Sequence, residues 1–245
     1  MPRCVFCDEK LEKEDVAICS SCKKDYYDMK ERSCSVCGKP IYRCSCTNEY
    51  LDSHFVHKLI KVYRYRVNEE LVQNTLIYKL KRDFRRDVVD FLSSELCDAI
   101  SASVKIDENT VFTSVPRRKS AKNKYGYDHA KMLAKAVAKK LSSEYRELLI
   151  SKTKKAQKKT DSNVARMKNA AFKLKNENLD LSEKTVILID DIVTTGASMG
   201  ASAFQIKMLA PKRIIGASIA ISYKDSYKRF SKDDRFFKKS SDKVR

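Results

Sequence analysis

Two adjacent aspartates followed by a turn of small residues are the part of this chain best suited to chemistry. Asp190 and Asp191 end an apolar run that begins at Val186. The turn that follows contains Thr194, Thr195, Gly196, Ala197 and Ser198. We expect the apolar run to be a buried parallel strand whose carboxyl end opens into a ligand crevice. The turn should begin a helix, whose first N–H groups and positive dipole end favour a phosphate.

The pair of carboxylates predicts a second kind of ligand group beside the phosphate. Adjacent acids would repel a phosphate, but they suit the vicinal hydroxyls of a ribose and can stabilise positive charge that develops on the sugar ring. Gly196 permits close backbone approach, and the three hydroxyls of the turn can donate to phosphate oxygens. The segment therefore predicts a ribose 5-phosphate site with Asp190 and Asp191 as catalytic candidates. The alternative, an ordinary strand followed by a helix cap, leaves the paired acids unexplained.

Eight of the nine cysteines lie in the first 46 residues as closely spaced pairs. The pairs are Cys4 and Cys7, Cys19 and Cys22, Cys34 and Cys37, and Cys44 and Cys46. In a reducing compartment such pairs indicate metal binding rather than disulfides, and four thiolates make a closed, structural zinc site. We expect two zinc ions, one bound by the first four cysteines and one by the last four, although a crossed pairing stays open. Cys97 is expected to be a small buried side chain.

The elements that must position these residues follow from the apolar patterning. Strands are predicted at 59–67, 110–116, 147–150, 185–190 and 213–222, and helices at 69–81, 85–101, 128–141 and 198–209. Strands that alternate with helices imply an α/β fold with a doubly wound parallel sheet. The chain then divides into a zinc-binding cysteine module at 1–50, an α/β domain at 51–222 and a basic tail at 223–245.

Charge indicates the class of partner without fixing it. Lys and Arg number 51 against 32 acidic residues, a formal charge of +19. Such a chain attracts polyanions, although charges spread over solvated faces give the same number. The loops 117–124 and 152–168 are strongly basic, with Tyr125 and Tyr127 nearby, which favours single-stranded DNA as a partner or a phosphate-facing lid. No run approaches the roughly 18 apolar residues of a membrane span and no signal-peptide core is present, so a cytoplasmic protein without membrane insertion is expected.

The segment Val186–Ser198 resembles the signature of type I phosphoribosyltransferases. Residues 1 to about 222 resemble the ComF family, in which a cysteine zinc finger precedes such a domain. The resemblance implies a type I phosphoribosyltransferase-like fold that binds phosphoribosyl pyrophosphate with Mg²⁺. It also implies a role in natural competence, with single-stranded DNA as ligand and a competence helicase or other uptake proteins as partners. The alternative function is an active phosphoribosyltransferase of nucleotide or base salvage, whose acceptor the sequence does not identify.

The resemblance extends to two loops around the expected site. In the family a proline after the second core strand opens the loop that faces pyrophosphate; Pro116, Arg117 and Arg118 occupy that place here. The family's Arg-Gly-Phe-Asn-Gln motif is replaced by residues 125–129, Tyr-Gly-Tyr-Asp-His, which removes an arginine although Lys122 and Lys124 lie nearby. The spaced family pattern continues with Gln157, Arg166, Asn169 and Phe172. These residues are expected either to close a lid over ligand or to hold the loop against the domain.

Overall fold

A five-stranded parallel sheet is the centre of the molecule. In the computed structural model the described residues are 2–65, 70–83, 85–117, 126–152 and 172–222. The strands of the sheet are β1 (Val56–Tyr65), β2 (Thr110–Ser114), β3 (Glu144–Tyr145), β6 (Thr185–Val193) and β7 (Arg213–Ser222). Their order is β1-β7-β6-β2-β3, and every neighbouring pair runs parallel. The predicted parallel α/β sheet is therefore confirmed.

Helices cover both faces of this sheet. The described helices are α1 (Ser20–Lys30), α2 (Glu49–Ser53), α3 (Val72–Arg82), α4 (Arg86–Ser101), α5 (His129–Lys140) and α6 (Ala197–Lys207). Successive residues of β6 alternate between two cores: Ile187 packs with α3, α4 and α5, whereas Leu188 packs with α2 and α6. This period of two is what a strand buried on both faces requires. None of the described helices is long and apolar enough to span a bilayer.

The switch in strand order fixes where a ligand crevice can form. The connection that leaves β2 crosses one face through α5 to β3, and the connection that leaves β6 crosses the other face through α6 to β7. Adjacent strands whose connections diverge in this way leave a crevice at their carboxyl ends. The residues that follow β2 and β6 line it.

Several element boundaries differ from the sequence predictions. β1 begins three residues early, at Val56, and β6 continues past Asp190 to Val193. The strand predicted at 147–150 lies at Leu149–Ser151 (β4) and pairs antiparallel with Phe172–Leu174 (β5), outside the main sheet. The two-residue β3 was not predicted, because so short an edge strand has no periodicity to detect. The buried face of α5 includes Leu133, Ala134 and Val137.

The first half of the cysteine-rich segment shares its core with the α/β domain. Tyr26 of α1 is fully buried, with ring centroids 5.7 Å from Tyr63 of β1 and 5.2 Å from Phe91 of α4. Beside these rings Lys30 forms a buried ion pair with Glu95 of α4. The scarcity of aliphatic residues at 1–50 is thus offset partly by apolar surface of the larger domain. The second half has a small cluster of its own around Ile41.

Candidate functional site

Asp190 and Asp191 lie at the carboxyl end of β6, at the crevice between β6 and β2. The Asp191 N–H donates to Asp190 Oδ1 at 2.9 Å, and the Ile192 N–H donates to Asp191 Oδ1 at 2.7 Å. These local bonds fix both carboxyl groups relative to the strand. A cleft of about 280 Å³ lies in front of them, lined by Lys81, Val115, Pro116, Arg117, Asp128, His129, Ala130, Phe172, Asp190, Asp191, Ile192 and Ser198.

Asp191 is balanced by two basic side chains that the sequence analysis did not assign to the site. Lys81 Nζ, from the end of α3, lies 3.3 Å from Asp191 Oδ2, and His129 Nδ1, from the first residue of α5, lies 3.5 Å from the same oxygen. Burial alone would raise the pKa of Asp191, but the His129 hydrogen bond and the Lys81 charge outweigh it and hold that pKa well below its usual range. Asp191 is therefore an anion that is paired with side chains of the protein itself.

Asp190 has the opposite electrostatic character. Burial, followed by the adjacent charge of Asp191, raises the pKa of Asp190 well above its usual value. Adjacent carboxyl groups in one crevice do not ionise independently, so the paired member holds the negative charge and the other favours its proton. The pKa values of the two aspartates are thus shifted in opposite directions, although the residues are neighbours in sequence.

The start of α5 forms the opposite wall of the cleft. Asp128 is its N-cap: Oδ1 accepts from the Lys131 N–H at 3.2 Å, and Oδ2 accepts from the Arg117 N–H at 3.3 Å. The Arg117 guanidinium lies against the His129 ring, with Nη1 in contact with Nδ1 and 3.2 Å from Nε2. Arg117 is thereby tied to the residue that contacts Asp191. The sequence signal that could have identified His129 is its place directly after a capping aspartate, at the start of the helix that follows β2.

The turn after β6 has the geometry of an open helix start. Gly196 is the N-cap of α6 with a left-handed φ of +82°. Thr195 Oγ1 accepts from the Ala197 N–H at 3.3 Å, and the hydroxylated residues Thr194, Thr195 and Ser198 are exposed. A second cavity, of about 60 Å³, is lined by this turn together with Asp190, Ile192, Val193 and Met199. The helix start therefore opens onto a cavity beside the aspartates.

Some predicted site residues lie outside the described part of the chain. They are Arg118, Lys122, Lys124, Tyr125, Gln157, Arg166 and Asn169, and the tail 223–245 lies outside it as well. Phe172, the last member of the spaced pattern, is buried and lines the cleft. Of the expected lid, this one residue is placed at the site.

The eight cysteines of the N-terminal segment form two separate sets. Cys4, Cys7, Cys19 and Cys22 make one, and Cys34, Cys37, Cys44 and Cys46 make the other, with the sulfur atoms of each set within 4.8 Å of one another. A tetrahedral zinc with Zn–S bonds of about 2.3 Å needs sulfur separations of roughly 3.8 Å, so both sets fit; Cys7 Sγ and Cys19 Sγ are 3.6 Å apart. The first four cysteines thus form one set and the last four form the other, and the crossed pairing is not found. Each set supplies four thiolates, which suits structural zinc.

Burial and backbone donors adjust the thiol pKa values. Burial would raise the pKa of Cys4, but backbone N–H groups, including that of Cys7, lower it to about 7, and Cys34 behaves in the same way. A thiol that ionises near neutral pH is a better metal ligand. Cys97, by contrast, is buried on α4, and burial raises its pKa to about 11. It is the small buried side chain that was predicted.

Comparisons with known proteins agree with both parts of the structure. Residues 128–244 match the model of the phosphoribosyl transferase domain, and residues 2–51 match the model of the double zinc ribbon domain. A search of curated proteins returned no match.

Three similar solved structures carry related names. They are the adenine phosphoribosyltransferase of Saccharomyces cerevisiae (16% identity, 56% of this chain and 68% of that chain, TM-score 0.33), that of Trypanosoma brucei in complex with AMP, pyrophosphate and ribose-5-phosphate (11%, 58% and 68%, 0.36), and the phosphoribosylpyrophosphate synthetase of Mycobacterium smegmatis (16%, 54% and 33%, 0.31). These likenesses are weak, and the assignment depends on the sheet topology and the two family models. Residues 128–244 are therefore similar to a phosphoribosyltransferase domain, and residues 2–51 are similar to a double zinc ribbon.

Proposed function

We propose that the cleft between β2 and β6 binds phosphoribosyl pyrophosphate. The observation that carries the proposal is that Asp190 and Ser198 line both the larger cleft and the small cavity of the helix turn. One ligand can therefore place its 5-phosphate on the turn 194–198 and its ribose hydroxyls on the carboxyl groups. The N–H groups at the start of α6 and the positive end of its dipole favour the phosphate.

The pyrophosphate end of the ligand would occupy the side of the cleft toward Arg117. Mg²⁺ would enter with it, since this ion is usually held by substrate phosphates together with one or two carboxylates. Asp190 is the carboxyl group that we expect to bind Mg²⁺, because a cation can replace the proton that its raised pKa favours. Arg118, the next residue, was predicted together with Arg117 to face the pyrophosphate.

The aspartates also fit a chemical role. If the anomeric bond breaks, positive charge develops on the ribose ring, and a fixed negative charge beneath it stabilises that state. Asp191 is suited to this because Lys81 and His129 keep it ionised and in place. A transferase of nucleotide or base salvage is therefore the second candidate function.

In the cell we propose a ComF-like role, in which the protein handles single-stranded DNA during natural competence. The combination of a double zinc ribbon with a phosphoribosyltransferase domain fits that architecture. The formal charge of +19 favours a polyanionic ligand. A competence helicase and other uptake proteins are the partners this role implies.

Isothermal titration with phosphoribosyl pyrophosphate and Mg²⁺ tests the binding proposal. The doubly substituted Asp190→Asn, Asp191→Asn protein should bind at least about tenfold more weakly, because hydrogen bonds to charged groups contribute about 1.5–3 kcal/mol each. The control is Glu108→Gln. Glu108 is exposed and lies just before β2, at the amino ends of the strands, whereas the aspartates lie at the carboxyl ends. Absence of binding by the unmodified protein would contradict the proposal.

Two further measurements separate the candidate functions. Release of pyrophosphate with any of a panel of bases would favour the salvage transferase, whereas binding without release would favour the binding protein. Fluorescence anisotropy with a labelled single-stranded oligonucleotide tests the DNA role directly. If the two sites are distinct, the double aspartate substitution leaves DNA affinity nearly unchanged, and a parallel loss of both affinities would show that they are one site.

A further inference from the structure

The Asn48 side chain, near the end of the zinc ribbon, hydrogen-bonds to the phosphate turn, residues 194–198. Asn48 is 6% exposed and precedes α2. Its Oδ1 accepts from the Leu51 N–H at 2.8 Å and so caps α2, and its Nδ2 donates to the Thr195 carbonyl at 3.1 Å. Thr195 directly precedes Gly196, the residue at which the turn takes its left-handed conformation. One amide group thus joins α2 to the turn.

The apolar face of α2 packs on the same turn. A Cβ added to Gly196 would lie 2.8 Å from Leu51 Cγ, and one added to Gly200 would lie 2.6 Å from Tyr50 Cε1. Leu51 is fully buried beneath the turn. The turn is therefore held from below by side-chain contact as well as by the Asn48 hydrogen bond.

The second cysteine set anchors the other end of this connection. Cys46, its last member, is two residues before Asn48. The Cys46 carbonyl accepts from Lys61 Nζ at 2.6 Å, and the Ser45 carbonyl accepts from the Leu59 N–H at 3.1 Å. The segment from the second set to Asn48 is thus held along β1, which leaves Asn48 little freedom of position.

We propose that Asn48 is a positioning residue for the phosphate turn, through which the end of the zinc ribbon sets the shape of the phosphate site. The inference rests on the proposed function, because it assigns a purpose to the turn as a phosphate site. Its physical content is that the Asn48 amide holds the Thr195 carbonyl away from the cavity, so that the N–H groups of the following residues face the ligand. Without that donor the peptide can rotate and present an oxygen to the anion.

The first variant keeps the helix cap and replaces the donor with a charged oxygen, so hydrogen exchange of the ligand-free protein separates its effect on the turn from repulsion of the anion. Asn48→Asp retains an oxygen that can accept from the Leu51 N–H but has no N–H for Thr195. Asn48→Ala loses both bonds. The matched control is Asn178→Asp, the same chemical change at an exposed position in the loop after β5.

Three quantities are measured on each full-length protein: zinc per chain, the dissociation constant for ribose 5-phosphate, and hydrogen exchange of the amides at 193–200. We expect Asn48→Asp to retain the zinc content of the unmodified protein, to bind about two- to tenfold more weakly, as the loss of one ordinary hydrogen bond implies, and to exchange faster at the turn. Asn178→Asp should match the unmodified protein in all three.

The outcomes distinguish this inference from the function on which it rests. If the unmodified protein does not bind ribose 5-phosphate, the proposed function fails, and the exchange measurement still decides whether Asn48 orders the turn. If the unmodified protein binds and Asn48→Asp equals it in both affinity and exchange, the positioning role is overturned. A drop in zinc content in Asn48→Asp would also overturn it, because the residue would then act on the ribbon itself.

Discussion

Removal of the buried charge at Lys30 tests whether the zinc ribbon and the α/β domain share one core. The Lys30 side chain is 11% exposed and that of its partner Glu95 is 6% exposed. Lys30 Nζ also lies 5.1 to 5.8 Å from the ring centroids of Tyr26, Tyr27 and Tyr42. Lys30→Met leaves the Glu95 carboxylate buried, with the Tyr27 hydroxyl at 3.3 Å as its donor.

The expected loss is large for a single substitution. Breaking a buried ion pair by removing one partner costs about 3–5 kcal/mol, mostly through the charge left behind. That is a substantial part of the roughly 5–15 kcal/mol that stabilises a typical domain. The double substitution Lys30→Met, Glu95→Leu removes both charges and should restore most of the loss, to within about 1 kcal/mol of the original.

Urea unfolding in the presence of zinc measures these free energies. The chain has 12 Tyr and no Trp, so tyrosine fluorescence and far-ultraviolet circular dichroism are suitable probes. Both should report one coincident transition, because α1 packs in the core of the larger domain. Lys79→Met is the control: it removes an exposed helical pair with Asp83, which is worth at most about 0.5 kcal/mol. A loss below about 1 kcal/mol in Lys30→Met, or a double variant no better than the single one, would refute the reasoning.

Three other perturbations have definite expected results. Gly196→Ala should lose about 1–3 kcal/mol of stability and weaken ribose 5-phosphate binding, because the residue has a φ of +82° and its new Cβ would lie 2.8 Å from Leu51. The control is Gly38→Ala, where φ is +70° and the space around the residue is open; it should show a smaller thermal shift and unchanged binding. Lys131 holds the pKa of Glu147 at about 2 against a usual 4.5, so this pair stabilises the fold above pH 4.5 and is lost as pH falls toward 2; Glu147→Gln should flatten acid unfolding in that window. Elemental analysis should find two zinc ions per chain, and a count of one would remove the second site.

The sequence predicted those features that depend on local pattern. The apolar run before Asp190 identified β6, and the turn after it identified the start of α6, because burial on both faces and a glycine turn leave clear local signals. Cysteine spacing predicted the two metal sets for a similar reason: each cysteine pair spans only three or four consecutive residues. The parallel topology followed from the alternation of elements.

The features that the sequence did not predict depend on contacts between distant segments. Lys81 is the tenth residue of α3 and ends beside Asp191 of β6 only because both α3 and the sheet pack in one core. Nothing local to Lys81 distinguishes it from Lys79, whose partner Asp83 directly follows the same helix. Asn48 is similar: as a helix cap it is readable from sequence, but its second bond, to Thr195, depends on how α2 docks. Partners of this kind are fixed by tertiary packing.

The unequal environments of the two aspartates suggest how a cation and a sugar could share the site. Within the described ranges, ion pairs reach Asp191 but not Asp190, and Asp190 carries a raised pKa because of burial and the adjacent anion. A carboxyl group with a raised pKa holds its proton more strongly, and it must release that proton when a cation takes its place. If the cleft binds phosphoribosyl pyrophosphate with Mg²⁺ as proposed, binding should be coupled to proton release at Asp190, whereas Asp191 should stay ionised.

This coupling is measurable as a dependence of the binding enthalpy on buffer. Titration of phosphoribosyl pyrophosphate with Mg²⁺ in two buffers of different ionisation enthalpy gives the number of protons released, and the number should be lower in Asp190→Asn. Protons released by the ligand itself remain in that variant and are subtracted by the comparison. Glu108→Gln should release as many protons as the unmodified protein. Equal release from Asp190→Asn and the unmodified protein would mean that Asp190 is already ionised in the empty cleft, and that Lys81 balances both carboxylates rather than one.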